Sequence, residues 1–142
     1  MKKLELPETI YDKTIKKFLV EFGCSKIKAL PRLTDFLHEG QKTVNELSYK
    51  IQIFFDIPGA MYISVTCSKP IKNVFYAEVL KIINSSNIDE QIAKYTIGVD
   101  DNQVSCTTFH FVLEEQDTYS TLDAHVDCSI GNVESIYDMF ND

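Results

Sequence analysis

From Tyr49 to Cys67 the chain alternates apolar and polar residues on both sides of a Pro58-Gly59-Ala60 break. Strict alternation marks a strand with one buried face, because successive side chains point to opposite sides of a sheet. The apolar set is Tyr49, Ile51, Ile53, Phe55 and Ile57 before the break, and Met61, Ile63, Val65 and Cys67 after it. A hairpin has to bring both sets to one side, and that requirement restricts its register. A two-residue loop at Pro58-Gly59 would pair Phe55 with Tyr62 and send the two rows to opposite faces. A loop of three or five residues instead pairs Phe55 with Ile63 and Ile53 with Val65, and this is the register expected. It also puts Phe54 and Tyr62, with Gln52, Ser64 and Thr66, on the far face.

The flanking chain supplies helices and two more strands. Pro7 to Phe22 carries Tyr11, Ile15, Phe18, Leu19 and Phe22 at helical spacing, with Gly23 as a stop. Residues 24–48 show no periodicity beyond three or four residues and read as a mobile or partner-contacting connector, with Ile27, Ala29 and Leu30 as a short strand, Leu33, Phe36 and Leu37 as one helical turn broken by Gly40, and Val44 and Leu47 in a second. Asn73 is a plausible cap for a helix through about Asn84, closed by the polar run Asn84-Ser85-Ser86-Asn87. A third strand spans Ala93 to Val99, and the Asp100-Asp101-Asn102 turn leads to a fourth, Val104 to Leu113. Its Phe109, Phe111 and Leu113 row is assigned to the core, and Cys106, His110 and Val112 to the other side. The last helix has a seam of Tyr119, Leu122, Val126, Ile130, Val133, Tyr137 and Phe140, capped by Asp117 or Thr118. Gly131 within it marks either a bend or a close backbone approach. Residues 1–142 thus form one α+β domain, with an antiparallel sheet of two hairpins covered by helices on one face.

Chemistry is harder to find. His125 and Cys128 lie three apart on the last helix, but one helix face lacks the third group and oxyanion donors that a thiol nucleophile needs, and a solvated face is the better account. Cys106 and His110 share a side of a strand but sit about 13 Å apart, too far to hold one metal between them. With His38 the chain has three histidines in all, a thin basis for a zinc site. The pairs Asp89-Glu90, Asp100-Asp101 and Glu114-Glu115 fall at turns or element ends, where carboxylates normally face solvent. There is no EF-hand run and no glycine-rich phosphate loop. No catalytic residue, metal site or cofactor is expected. Phe54 and Tyr62 are the candidates for partner contact, either free for a partner or covered by segment 24–48.

Charge narrows the partners. The net charge is −7, but residues 1–50 carry ten basic against seven acidic side chains, and residues 51–142 carry four against fourteen. That acidic excess argues against nucleic acid. No run approaches the ~18 apolar residues of a membrane span, and the first residues lack the apolar core of a signal peptide. A cytoplasmic protein is expected, with its four cysteines as small buried hydrophobes and the Asn84-Ser85-Ser86 sequon unused.

The hairpin 49–67, the run Val79-Leu80-Lys81-Ile82-Ile83-Asn84-Ser85-Ser86-Asn87, Tyr95-Thr96-Ile97, the Asp100-Asp101-Asn102 turn, the strand Val104–Leu113 and the long last helix together resemble the YbjN-type family of small bacterial proteins. That family shares the fold of class I type III secretion chaperones. The resemblance covers about two-thirds of the chain. Segment 24–48 does not map onto the family pattern, and a basic residue expected near Ser105-Cys106-Thr107 is absent. The resemblance implies helices on one side of a twisted sheet, homodimers, no cofactor and no catalytic residues. For the secretion chaperones it further implies holding an extended client segment on hydrophobic surface. The expected function is therefore a non-enzymatic, chaperone-like or regulatory protein-binding module. The alternatives are a small enzyme or ligand-binding domain with a pocket between sheet and helices, and an acidic inhibitor or immunity-like protein for a basic partner.

Overall fold

A computed structural model describes residues 7–57, 59–89, 93–112 and 114–140, without the side chains of Asp56, Ile57, Ile88 and Asp89; Pro58, Glu90 and Leu113, which the sequence reading placed in a loop, an acid pair and a strand, lie outside the described residues. The element order is α1 (Ile10–Glu21), β1 (Ser25–Pro31), β2 (Phe36–Val44), β3 (Leu47–Ile57), β4 (Ala60–Cys67), α2 (Tyr76–Asp89), β5 (Ala93–Ile97), β6 (Val104–Phe111) and α3 (Gln116–Met139). The six strands form one antiparallel sheet in the order β1-β2-β3-β4-β6-β5. The helices pack on one face, α1 against β1 and β2, α3 against β4 and β6, and α2 against β5. The architecture is α+β, as the alternation and helix spacing imply.

The central hairpin keeps its two apolar rows on one side, but in a different register. Ile53 faces Ile63, Ile51 faces Val65 and Tyr49 faces Cys67, each row fully buried, so the pairing slips two residues from the expected one. The turn is the short one that seemed excluded, since Ile57 pairs with Ala60. An irregularity between Phe55 and Ile57 restores the parity. One extra residue in a strand flips the side-chain alternation back, which is how a two-residue turn and a one-sided apolar face coexist. Gly59, at φ +83°, supplies the left-handed turn residue.

Segment 24–48 is not a connector. It adds β1 and β2 to the edge of the hairpin, with His38 opposite Ile53 and Gly40 opposite Ile51. Its inner row is Phe36, His38, Gly40, Lys42 and Val44, apolar only at its two ends, so that no hydrophobic alternation runs through it. That row is matched to α1. His38 Nε2 bonds the Asp12 carboxylate at 2.8 Å in the first turn, and Lys42 Nζ donates to the Phe22 carbonyl at 2.6 Å just past the last. Four strand residues span about 13 Å and ten helical residues about 15 Å, so the two contacts fall in step. Between them Gly40 makes room, as a Cβ there would lie 3.0 Å from the Cys24 Cβ.

Local signals explain the helices. Thr9 and Asp12 form a reciprocal capping box on α1, with Asp12 N–H donating to Thr9 Oγ1 at 3.2 Å and Thr9 N–H to the Asp12 carboxylate at 2.8 Å. Gly23, at φ +88°, ends α1 with Cys24 N–H bonded to the Leu19 carbonyl. Helix α2 follows a 3-10 turn at Asn73–Phe75 and continues through Asn84-Ser85-Ser86-Asn87, which was expected to stop it. Helix α3 buries Leu122, Val126, Ile130, Val133 and Tyr137 of the expected seam. It begins after Glu115, with no side-chain cap from Asp117 or Thr118. Nothing among the described residues comes within 4 Å of a Cβ placed on Gly131, which excludes close approach as its reason.

Strand β6 turns its other row inward. Val104, Cys106 and Thr108 are buried, while Phe109 and Phe111 face outward. Pairing with β4 forces this choice. Cys106 lies opposite Val65 and Thr108 opposite Ile63, both of the inner row, and Phe109 lies opposite Tyr62.

Candidate partner-binding face

The strand registers sort the outer face into three transverse rows. The first carries Leu30 opposite Leu37 on β1 and β2, then Phe54, Tyr62 and Phe109 opposite one another on β3, β4 and β6. The second runs Lys28, Glu39, Gln52, Ser64, Thr107 and Lys94 across all six strands. The third contains Gln41, Lys50, Thr66, Ser105 and Thr96.

The polar rows are internally satisfied. Glu39 takes Lys28 at 3.1 Å and a Gln52 amide hydrogen bond at 2.9 Å. Burial opposes its charge, but those partners hold its carboxyl below the usual range. Thr107 Oγ1 donates to Ser64 Oγ at 3.2 Å, and the Thr66 and Ser105 hydroxyls meet at 2.8 Å. The first row is different. Phe54 and Tyr62 stack with centroids 5.1 Å apart and planes within 9°, Phe109 meets Tyr62 edge-on at 5.1 Å, and Phe111 meets Phe109 at 4.8 Å. Arg32, from the β1–β2 turn, sits 4.7 Å from the Phe54 centroid.

Phe54 and Tyr62 are therefore adjacent and outward, where the alternation puts them. Segment 24–48 extends the sheet beside them and contributes Arg32 to one ring. Phe109, Phe111, Leu30 and Leu37 belong to the same row and escaped the sequence reading. The available signal was that pairing Phe109 with Tyr62 makes one continuous aromatic row, whereas turning Phe109 inward breaks it. Phe111 is 70% exposed, and no described helix packs on this face.

The sheet edges are less open than a single sheet suggests. On β5 the Asn87 side chain bonds both the Tyr95 N–H and the Tyr95 carbonyl, each at 2.8 Å, in place of a neighbouring strand. On β1, Arg32 N–H bonds the Asp35 carbonyl at 2.8 Å. By antiparallel alternation Leu30 and Lys28 then bond inward, and Ala29 and Pro31 face outward. Pro31 has no donor to offer, and the register breaks between Ser25 and Lys28. Proline and a bulge are both devices that discourage strand addition.

The remaining candidates stand apart from this face. His125 is not a partner for Cys128, because its ring packs on His110 with centroids 4.1 Å apart. Burial, and after it the His125 charge, lower the pKa of His110 to about 4. His110 also meets Thr108 Oγ1 at 2.9 Å. Cys128 is exposed, Cys24 partly so, and Cys67 and Cys106 are buried, so the expectation of four buried thiols fails at the first two. No group of three or more metal-ligating side chains occurs among the described residues. A cavity of about 160 Å³ between α1 and the β1–β2 hairpin is lined by Glu8, Asp12, Lys16, Ala29, Phe36 and His38. Burial opposes the charge on Asp12, but hydrogen bonds with His38 and Thr9 hold its pKa below the ordinary value. His38 Nδ1 is buried with no partner among the described residues. A wider groove of about 530 Å³ lies where the β2–β3 turn meets the end of α3, and mixes Lys69 and Lys72 with Glu46, Glu134 and Asp138.

Neither a protein-family model nor a curated protein sequence matches the chain. Among solved structures, the chain is similar to the crystal structure of YbjN from E. coli, provisionally described as a transcription regulator. The similarity has a TM-score of 0.52 at 11% identity, over 94% of this chain and 91% of that one. The fold is of the YbjN type. The YbjN-type likeness extends over nearly the whole chain, and so takes in segment 24–48, which did not fit the sequence pattern. No described helix is long and apolar enough to cross a membrane.

Proposed function

We propose that the chain is a non-enzymatic protein-binding module, regulatory or chaperone-like, that docks a partner segment on the outer sheet face around Phe54 and Tyr62. One observation carries this reading. An uncovered row of aromatic and aliphatic side chains crosses the outer face of a sheet whose other face is already filled by helices. Large apolar side chains gathered on a free surface commonly mark an interaction site. The provisional role of the E. coli YbjN protein in regulation agrees with a binding module. A single-domain, cytoplasmic homodimer without nucleic-acid or membrane partners completes the proposal.

The test is a pull-down from the native cell with the unaltered chain and with Phe54→Ala/Tyr62→Ala, and the oligomeric state measured on the same samples. The unaltered chain should retain specific proteins that the double variant loses while staying folded by circular dichroism. Equal retention by both would remove the outer face from the function.

A second reading, a small ligand-binding domain, has the Asp12–His38 cavity in its favour. His38 Nδ1 there has no partner among the described residues, and a ligand hydroxyl or amine could supply one. A shift of the His38 ring signals in an NMR screen of small polar compounds would support it.

A further inference from the structure

We infer that the occupant of the outer face is an acidic amphipathic helix of another protein, an inference that rests on the docking role proposed above. Three observations lead there. First, both edges resist strand pairing, through Asn87 on one side and Pro31 with the β1 bulge on the other. A chain lying on the face meets side chains only, so it must satisfy its own backbone groups, and a helix does this. The inner face of the same sheet accepts three helices on this principle.

Second, the Phe54 and Tyr62 rings are engaged with one another and with their neighbours in the row. One face of Phe54 is covered by Tyr62, Arg32 sits over the Phe54 ring, and Tyr62 and Phe109 meet at an interplanar angle of 61°. Stacking of flat bases needs free ring faces, whereas aliphatic side chains of a helix pack well between ring edges.

Third, the charge of this face is opposite to that of the whole molecule. Its described strand positions carry Lys28, Lys50 and Lys94 against Glu39 alone, in a chain of net charge −7. The acids gather elsewhere, with five carboxylates and no lysine or arginine on α3. The two lysines of the second row, Lys28 and Lys94, lie one row below the apolar one, a step of about 7 Å. Lys28 already pairs with Glu39 at 3.1 Å and Lys94 donates to the Asn87 carbonyl at 2.7 Å, so carboxylates flanking an apolar helical stripe would add to or exchange with those contacts. A second copy of this face carries the same basic excess and so offers it no charge complement. Helix α3 of another copy offers acids, but its exposed side carries one large apolar side chain, Met139 at its last turn, and so no apolar stripe. Six strands span about 24 Å, the length of a helix of about 16 residues.

The experiment uses three labelled peptides of that length with one leucine stripe, flanked by Glu, Gln or Lys. Their binding to the full chain is followed by fluorescence anisotropy at low and high salt. The Glu peptide should bind about fivefold or more tighter than the Gln peptide, and the Lys peptide weakest, as a few exposed ion pairs allow. High salt should bring the three together. Lys28→Gln/Lys50→Gln should shrink the advantage, and Phe54→Ala/Tyr62→Ala should abolish binding of all three. Phe111→Ser, at an exposed ring, serves where the double aromatic variant does not fold.

Equal affinities that still depend on the aromatic row would overturn the acidic preference while leaving the docking face intact. Binding indifferent to the aromatic substitutions would overturn the docking face itself. Tighter binding of the Lys peptide would likewise overturn the acidic preference, and no binding of any would overturn the helix assignment.

Discussion

The two faces of the sheet are made by the same strands, yet they behave as different materials. The inner face of β3 and β4 is uniformly apolar, with Ile51, Ile53, Ile63 and Val65 removed from solvent under α1 and α3. The outer face of the same residues' neighbours is graded, from stacked rings at one end to hydrogen-bonded hydroxyls and lysines at the other. Side-chain alternation alone makes this possible, because each strand serves two environments at once. Stability is concentrated on one side and left adaptable on the other.

The sharpest way to break this contrast is to cut into the inner face. Ile63→Ala should lower unfolding free energy by about 3–4 kcal/mol, from lost burial and the cavity left behind. Urea denaturation measures it. A loss equal to that of an outer-face truncation would erase the distinction. Next in size is Asp12→Ala, which removes the α1 capping box and strands His38 in the interior. About 2–3 kcal/mol should be lost, since an unpaired buried polar group bears its full desolvation cost. His38→Leu in the same background should recover part of that loss.

Phe54→Ala on the outer face should cost only about 1 kcal/mol, the scale of one cross-strand aromatic pair, while weakening partner capture. The pH response sharpens the inner side again. The pKa of His110 is lowered to about 4 by burial and then by His125, so its charged form is disfavoured in the fold. The chain should keep this part of its stability above about pH 6.5 and lose it as pH falls toward 4. His110→Phe should flatten that acid limb in thermal melts taken across the same pH range. The smallest effect should be a gain. Gly131→Ala, on an exposed helical position with open space around it, should add up to about 1 kcal/mol. A loss there would point to a contact on the α3 surface that the isolated chain does not show.

Legibility followed the kind of neighbour each strand has. The β3–β4 hairpin was readable because its inner row meets hydrophobic helices, and so alternates cleanly. Strand β2 was invisible because its inner row meets the two polar ends of α1, where His38 and Lys42 are the fitting residues and Gly40 the only one small enough. Strand β6 was seen but read inside out. Its inner residues, Cys106, Thr108 and His110, look like a surface row, and its outer phenylalanines look like a core row. Phe54 and Tyr62 were found by parity, while Phe109 and Phe111 were missed through that inversion.

By itself the sequence determined the secondary structure of the strongest elements, the one-sided burial of the central hairpin, and so the outward placement of Phe54 and Tyr62. These depend on periodicity, which is a property of neighbours along the chain. The tertiary structure alone decided the register, the two added strands, the inward side of β6, the closure of the edges and the basic character of the outer face. Each depends on which strand lies beside which. A bulge next to Phe55, a hydrogen bond between His38 and Asp12, or a ring paired across β4 and β6 joins residues that no local pattern connects.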